Sequence, residues 1–164
     1  MRVAFAADHA GAAFKDELLA KLASLLHGEH ELLDLGGDGS DQQDDYPDFA
    51  WVVGQAIQSG HADRGILVCG SGVGASIAVN KMRGVRAGIC HDTYSAHQGV
   101  EHDDMNVLCL GSEVVGEALA RELVRTFLGA RFNESDPRYA ARLRKVEQMA
   151  LDAARELASQ QDFG

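Results

Sequence analysis

Proline is nearly absent from this sequence, two residues in 164 against eighteen glycines. That excludes Pro-rich linkers and argues against extended disorder. No apolar run approaches the ~20 residues of a membrane span, so no membrane partner is expected. Met1 to Asp8 reaches an acid within eight positions, which does not fit a secretory signal. Cysteine is scarce and odd in number: Cys69, Cys90 and Cys109, with no CxxC spacing. A disulfide framework and a zinc site are both disfavoured, and a reducing, cytoplasmic setting is expected. Positive charge is short. Fifteen Lys and Arg face twenty-five Asp and Glu, for a net charge of -10. With no basic run, nucleic acid is a poor partner. What remains is ordinary globular composition, 46% hydrophobic and 24% charged, at the length of one domain spanning 1–164.

Short apolar runs alternate with helix-length segments. Strands are expected at Arg2–Ala7, Glu31–Leu35, Gly65–Val68, Val85–Cys90 and Asn106–Leu110. Helices are expected at Ala12–Leu26, from Tyr46 to about Ser59, at Val73–Lys81, at Asp92–Val100, from about Val114 to Leu128, and from near Pro137 to about Ser159. In the first helix Phe14, Leu18, Leu22 and Leu25 share a stripe. Strict β-α alternation implies an α/β fold: a Rossmann-like three-layer sandwich, with a five-stranded parallel sheet and helices on both faces. The last helix is surplus to such a unit. Its apolar positions (Leu143, Val146, Met149, Ala150, Ala153, Leu157) fit packing on a second subunit, or equally on its own sheet.

Ligands of this architecture bind outside the carboxyl ends of the strands. Asp8-His9 ends the first strand, Cys69-Gly70-Ser71-Gly72-Val73-Gly74 the third, Cys90-His91-Asp92 the fourth and Gly111-Ser112-Glu113 the fifth. The glycine loop leaves backbone N–H groups open at a helix start, a nest for a phosphate or an oxyanion. It equally fits a weak dinucleotide fingerprint, with Asp92 further on, or a tight turn without ligand. Cys69 precedes the loop, where a thiolate serves as base or nucleophile; a buried apolar cysteine is the plain alternative. That alternative suits Cys109, inside an apolar run.

Seven histidines are many for this length. His27, His30 and His61 lie in polar, loop-like surroundings, whereas His9, His91, His97 and His102 fall near the sheet edge. The His97…Glu101-His102-Asp103-Asp104 cluster lacks HxxxH or HExxH spacing, so a proton-transfer pair is favoured over a metal. Arg138 and Arg142 share one helix face and can converge on an anion, or be solvated with Glu134 and Asp136 as partners.

These residues resemble the ribose-5-phosphate isomerase B and galactose-6-phosphate isomerase family. The match rests on Ala7-Asp8-His9-Ala10-Gly11, Asp45-Tyr46-Pro47-Asp48, Cys69–Gly74, Asn80-Lys81, Gly84–Ala87, Cys90-His91-Asp92-x-Tyr94-Ser95-Ala96, Glu101–Asp104 with Asn106–Leu108, and Arg138-x-x-x-Arg142. The resemblance implies a metal-free and cofactor-free aldose–ketose isomerase of sugar phosphates working through an enediolate. Ribose 5-phosphate and ribulose 5-phosphate are the expected pair. It implies that Cys69 moves the proton, that Ser71 with the Gly70, Gly72, Val73 and Gly74 amides holds the enediolate oxygen, and that His102 opens the ring. Asp8 and Asp103 would contact the sugar, and Tyr46 would line the pocket. His9, Arg138 and Arg142 would hold the phosphate. A homodimer or dimer of dimers, with the site between subunits, is implied as well.

Three departures bear on substrate. Asp103 stands where the family commonly has Asn, Tyr139 where it has His after the arginine, and Glu113 where it has a phosphate-binding Arg. A four- or six-carbon sugar phosphate, or an unphosphorylated sugar, is therefore an alternative. A nucleotide-binding module would have no need of Cys69 and His102, and a catalytically silent sugar binder would not be expected to keep them.

Overall fold

The computed structural model describes residues 1–26 and 28–161, with the side chains at 157, 158, 160 and 161 left out of the description. His27 and the side chain of Leu157 thus lie outside the described residues. In chain order the elements are β1 (Arg2–Ala7), α1 (Ala12–Leu25), β2 (Glu31–Asp34), α2 (Tyr46–Gln58), β3 (Arg64–Cys69), α3 (Val73–Val79), β4 (Ala87–Ile89), α4 (Thr93–Asp103), β5 (Val107–Gly111), α5 (Glu117–Gly129) and α6 (Pro137–Gln161).

All strand pairs are parallel, in the order β2-β1-β3-β5-β4. Alternation along the strands divides the core in two. Val3, Phe5, Ile66, Val68, Leu108 and Leu110 face one way, onto Leu18 and Leu22 of α1, Val100 of α4 and Leu123 of α5. Ala4, Ala6, Leu67, Cys69, Val107 and Cys109 face the other, onto Val53 of α2 and Val79 of α3. Right-handed crossovers account for this division. Chain paths moving one way along the sheet put α2 and α3 on one face, and paths returning put α1 and α4 on the other. The direction reverses between β1 and β3, which opens a crevice at their carboxyl ends.

Among the element boundaries that differ from the expected ones, two have a clear local cause. β4 begins at Ala87 and not Val85, because side chains take the backbone groups there. The Arg86 amide donates to Asn106 Oδ1 and the Ala87 amide to Asn80 Oδ1. α5 begins at Glu117 and not Val114, because the amides of Val114 and Val115 both turn back onto the Gly111 carbonyl. Gly116 then caps the helix in an extended conformation. α6 packs against α4 and leaves Val146 and Met149 exposed. Of the two partners weighed for it, its own sheet is not the one its apolar face covers.

Candidate active site

At the β1/β3 crevice the chain brings together Asp8, His9, Tyr46 and the loop from Cys69 to Gly74. Gly72 adopts a left-handed conformation, φ 81°, that favours glycine, and this turns the chain sharply after β3. The turn aims the Gly72 amide at Cys69 Sγ, 3.1 Å away. Gly74 is needed for a different reason. A Cβ there would lie 2.8–3.0 Å from the Tyr46 ring, so its absence lets Tyr46 lie against the loop. Ser71 is exposed at the mouth, its Oγ 3.3 Å from the Val73 amide that donates to it. Val73 is exposed beside it.

Asp8 and His9 approach from the end of β1. Asp8 is buried and accepts the Gly11 amide at 3.1 Å. Burial pushes its carboxyl above the usual carboxylate range. His9 is held by Asp44, in the loop before α2. One Asp44 oxygen accepts the His9 amide at 2.9 Å and lies 2.6 Å from Nδ1. That hydrogen bond raises the histidine above its ordinary range. Ser112 ties three loops together: its hydroxyl donates to the Ala10 and Cys69 carbonyls, and its amide donates to Cys69 as well. Next to it, Glu113 donates its amide to the Gly70 carbonyl and exposes its side chain at the same edge.

The other expected residues gather elsewhere. α4 starts at the carboxyl edge and runs back, so His102 and Asp103 end near the start of the sheet. The adjoining Asn106 amide bonds to the Arg86 carbonyl, just before β4. His102 is thus not at the edge where His9 and Cys69 lie, a correction to its expected place. β3 alone spans roughly 16 Å from Arg64 to Cys69 at ~3.3 Å per residue. That is longer than a five-carbon sugar phosphate. His102 stacks on Tyr139, ring centroids 4.2 Å apart and 16° from parallel. Its Nδ1 lies 2.8 Å from Gln98 Nε2. An amide nitrogen only donates, so Nδ1 accepts and the ring proton sits on Nε2.

Arg138 and Arg142 flank this second cluster on the first turns of α6. Both are exposed. Arg138 is engaged with Asp136, Nη2 to Oδ2 at 2.7 Å, and draws that carboxyl down to about 2. The solvated pairing weighed for this arginine is therefore the one the lone chain adopts. A groove of about 760 Å³ separates α6 from the β4 edge, lined by Met82, Val85, Met105, Leu143 and Val146.

Asp44 and Gln98 carry no assignment in the sequence, and Ser112 enters there only as part of the end of the fifth strand. Asp44 lies in the loop between β2 and α2. Its signal was a carboxylate two residues before Tyr46, but spacing alone does not pair it with a histidine thirty-five positions away.

A family model described as Ribose/Galactose Isomerase matches residues 3–146. Ribose-5-phosphate isomerase B of Escherichia coli (strain K12) is 44% identical over 131 residues, covering 80% of this chain and 85% of that protein. D-erythrulose-4-phosphate isomerase 2 of Mycolicibacterium smegmatis is 36% identical over 154 residues, covering 94% and 99%. Among solved structures, ribose-5-phosphate isomerase B of Clostridium thermocellum superposes with a TM-score of 0.85 at 39% identity, covering 93% of this chain and 99% of that one.

Proposed function

The chain belongs to the ribose/galactose isomerase family and is an aldose–ketose isomerase of sugar phosphates; within that family we propose that it interconverts ribose 5-phosphate and ribulose 5-phosphate. The observation that carries this reading is Cys69 receiving the Gly72 amide at the mouth of a glycine loop, beside Asp8 and His9. In the proposed reaction the Cys69 thiolate removes the proton from C2 of the open aldose. The electron pair moves onto the carbonyl oxygen, giving an enediolate that the Ser71 hydroxyl and the Gly70–Gly74 amides stabilise. Cys69 returns the proton to C1, and the hydroxyl proton passes between the two oxygens. Asp8 holds a sugar hydroxyl, Tyr46 lines the pocket, and His9 takes the phosphate.

His102 opens the furanose ring as an acid through Nε2–H, with Asp103 close by, and Arg138 and Arg142 complete the phosphate site. These groups serve the Cys69 of a second subunit. Two features support a dimer or dimer of dimers: the separation of the two half-sites within one chain, and the open apolar groove beside α6. In this reading the phosphate draws Arg138 away from Asp136. The whole chain acts as one catalytic domain, without metal or cofactor. Its three free, buried cysteines suit a reducing cytoplasm. Among the described residues no helix is long and apolar enough to cross a membrane.

A second reading is a four-carbon sugar phosphate, as named for the 36% identical D-erythrulose-4-phosphate isomerase 2, or a sugar without a phosphate, which one observation favours. Glu113 places a carboxylate at the edge where the phosphate is to be held. A panel of aldose phosphates, assayed for ketose formation with wild type and Cys69→Ala, tests both. The expected result is highest kcat/KM on ribose 5-phosphate, with a loss of ~10²- to 10⁴-fold in a folded Cys69→Ala variant. Preference for a four-carbon substrate would replace the substrate, and near-wild-type turnover without Cys69 would remove the base.

A further inference from the structure

The loop joining β2 to α2 is rich in acid, yet only Asp44 of that loop turns a carboxylate oxygen onto the crevice histidine. Its Oδ1 takes both the His9 amide, at 2.9 Å, and His9 Nδ1, at 2.6 Å. The Asp44 side chain is 15% exposed and the His9 side chain 35%, so the carboxylate is the better shielded of the two and the ring stays open to a ligand. A carboxylate accepts and does not donate, so Nδ1 must carry the ring proton. Nε2 is then the only ring nitrogen free to meet a ligand. With one proton on the ring, Nε2 is a lone pair and repels an anion. With two, it is an N–H donor carrying positive charge. The charged groups acting on His9 are Asp44 from this loop and Asp8 from the end of β1, both anionic when ionised.

We propose that Asp44 is a positioning residue for anion capture: it fixes the Nδ1–H form and plane of His9, so that Nε2 is the donor offered to the substrate's phosphate. This rests on the placing of His9 at the phosphate in the function proposed above. The same carboxylate holds His9 protonated above its ordinary range. The sign follows directly. Below the His9 midpoint the ring is cationic and donates from Nε2. As pH rises through the midpoint that donor becomes a lone pair and the anion contact is lost. Because one oxygen also fixes the His9 backbone, loop and ring are placed together, and capture depends on the loop that leads into Tyr46.

The test uses Asp44→Asn, which keeps an oxygen acceptor for both N–H groups but removes the charge, and Asp44→Ala, which removes both. Nitrogen-15 NMR of the histidine rings in the intact protein, with His9→Asn to assign the signal, reads the tautomer without any substrate. Wild type is expected to show neutral His9 as Nδ1–H. Asp44→Asn should keep that form but titrate at lower pH, and Asp44→Ala should lose the tautomer preference. An Nε2–H form in wild type, or an unmoved midpoint in Asp44→Asn, would overturn the proposal.

In steady-state assays, KM for ribose 5-phosphate should rise about five- to tenfold as pH climbs through the midpoint, the loss of one charge-assisted contact. In Asp44→Asn the rise should come at lower pH, with kcat within about twofold. Both proteins share the same substrate and buffers, so the phosphate's own ionisation cancels in the comparison. The Asp44→Asn effect should vanish in a His9→Asn background; its persistence there would refute a role through His9. Should wild type isomerise no sugar phosphate, the proposed function fails, and inorganic phosphate becomes the probe. It should move the His9 Nε2 signal of wild type below the midpoint, and an unmoved signal overturns the proposal.

Discussion

Gly74→Ala separates what the crevice needs for stability from what it needs for binding. A Cβ at Gly74 would sit 2.8, 2.9 and 3.0 Å from Cζ, Cε1 and Cε2 of Tyr46, where ordinary contact begins near 3.4 Å. The obstacle is the far end of one side chain, 40% exposed, and not backbone. The ring can therefore swing outward by about half an ångström, at the ~0.5–1.5 kcal/mol of an off-rotamer side chain. Gly74 lies in the first turn of α3, where alanine recovers up to ~1 kcal/mol of helix propensity. The two terms nearly cancel, so the melting temperature should move by no more than roughly 4 °C for a chain of this size. The displaced ring leaves the pocket wall it is proposed to form. Losing about one hydrogen bond's worth of contact predicts a KM about three- to tenfold higher, with kcat little changed. Thermal unfolding and steady-state kinetics on ribose 5-phosphate read both quantities. In a Tyr46→Ala background the substitution should cost nothing further in KM. An additive loss there, or a fall of ~10 °C or more in melting temperature, would mean that the backbone yields and that the reasoning from Tyr46 is wrong.

Glu113→Arg should lower KM for ribose 5-phosphate about tenfold while leaving free ribose unaffected, as a cation replaces an anion beside the phosphate; an unchanged or raised KM would show that Glu113 stands clear of it. Iodoacetamide should alkylate Cys69 first, with substrate protecting it. Burial beside Asp92 pushes Cys90 up to about 11, and full burial pushes Cys109 higher still, so both stay thiols near neutral pH. Equal labelling of all three thiols would contradict a distinct role for Cys69.

The sheet and its helices were legible because each strand is a compact apolar run and each helix carries its own stripe, so period and length agree. Strand order was not. Nothing in the run Val107–Gly111 says that it pairs with both β3 and β4, since hydrogen bonds between buried parallel strands leave no mark on side-chain choice. The late start of β4, at Ala87, was hidden for a related reason. Asn80 and Asn106 replace ladder partners for Ala87 and Arg86, and a side-chain amide standing in for backbone looks like any polar residue.

The half-site around Cys69 was legible because its parts are local. Glycines, a thiol and a helix start occupy six consecutive positions, and the conformation of Gly72 brings its amide onto Cys69 Sγ. The second half was legible as residues but not as a place. His102 and Arg138 are thirty-six positions apart in number, and only the fold puts the Tyr139 ring between them, stacked on one and 5.9 Å beneath the other. Tyr139, a departure from the family pattern in the sequence, is thus the contact that joins His102, the proposed ring-opening group, to the arginines of α6. Its aromatic face takes both an imidazole and a guanidinium, which supports His102 without a second titrating ring beside it. The resulting cluster holds no thiol, while the Cys69 cluster holds His9 but neither Arg138 nor Arg142. In the proposed reaction neither half suffices alone, and a second copy of the chain is the proposed source of what each lacks.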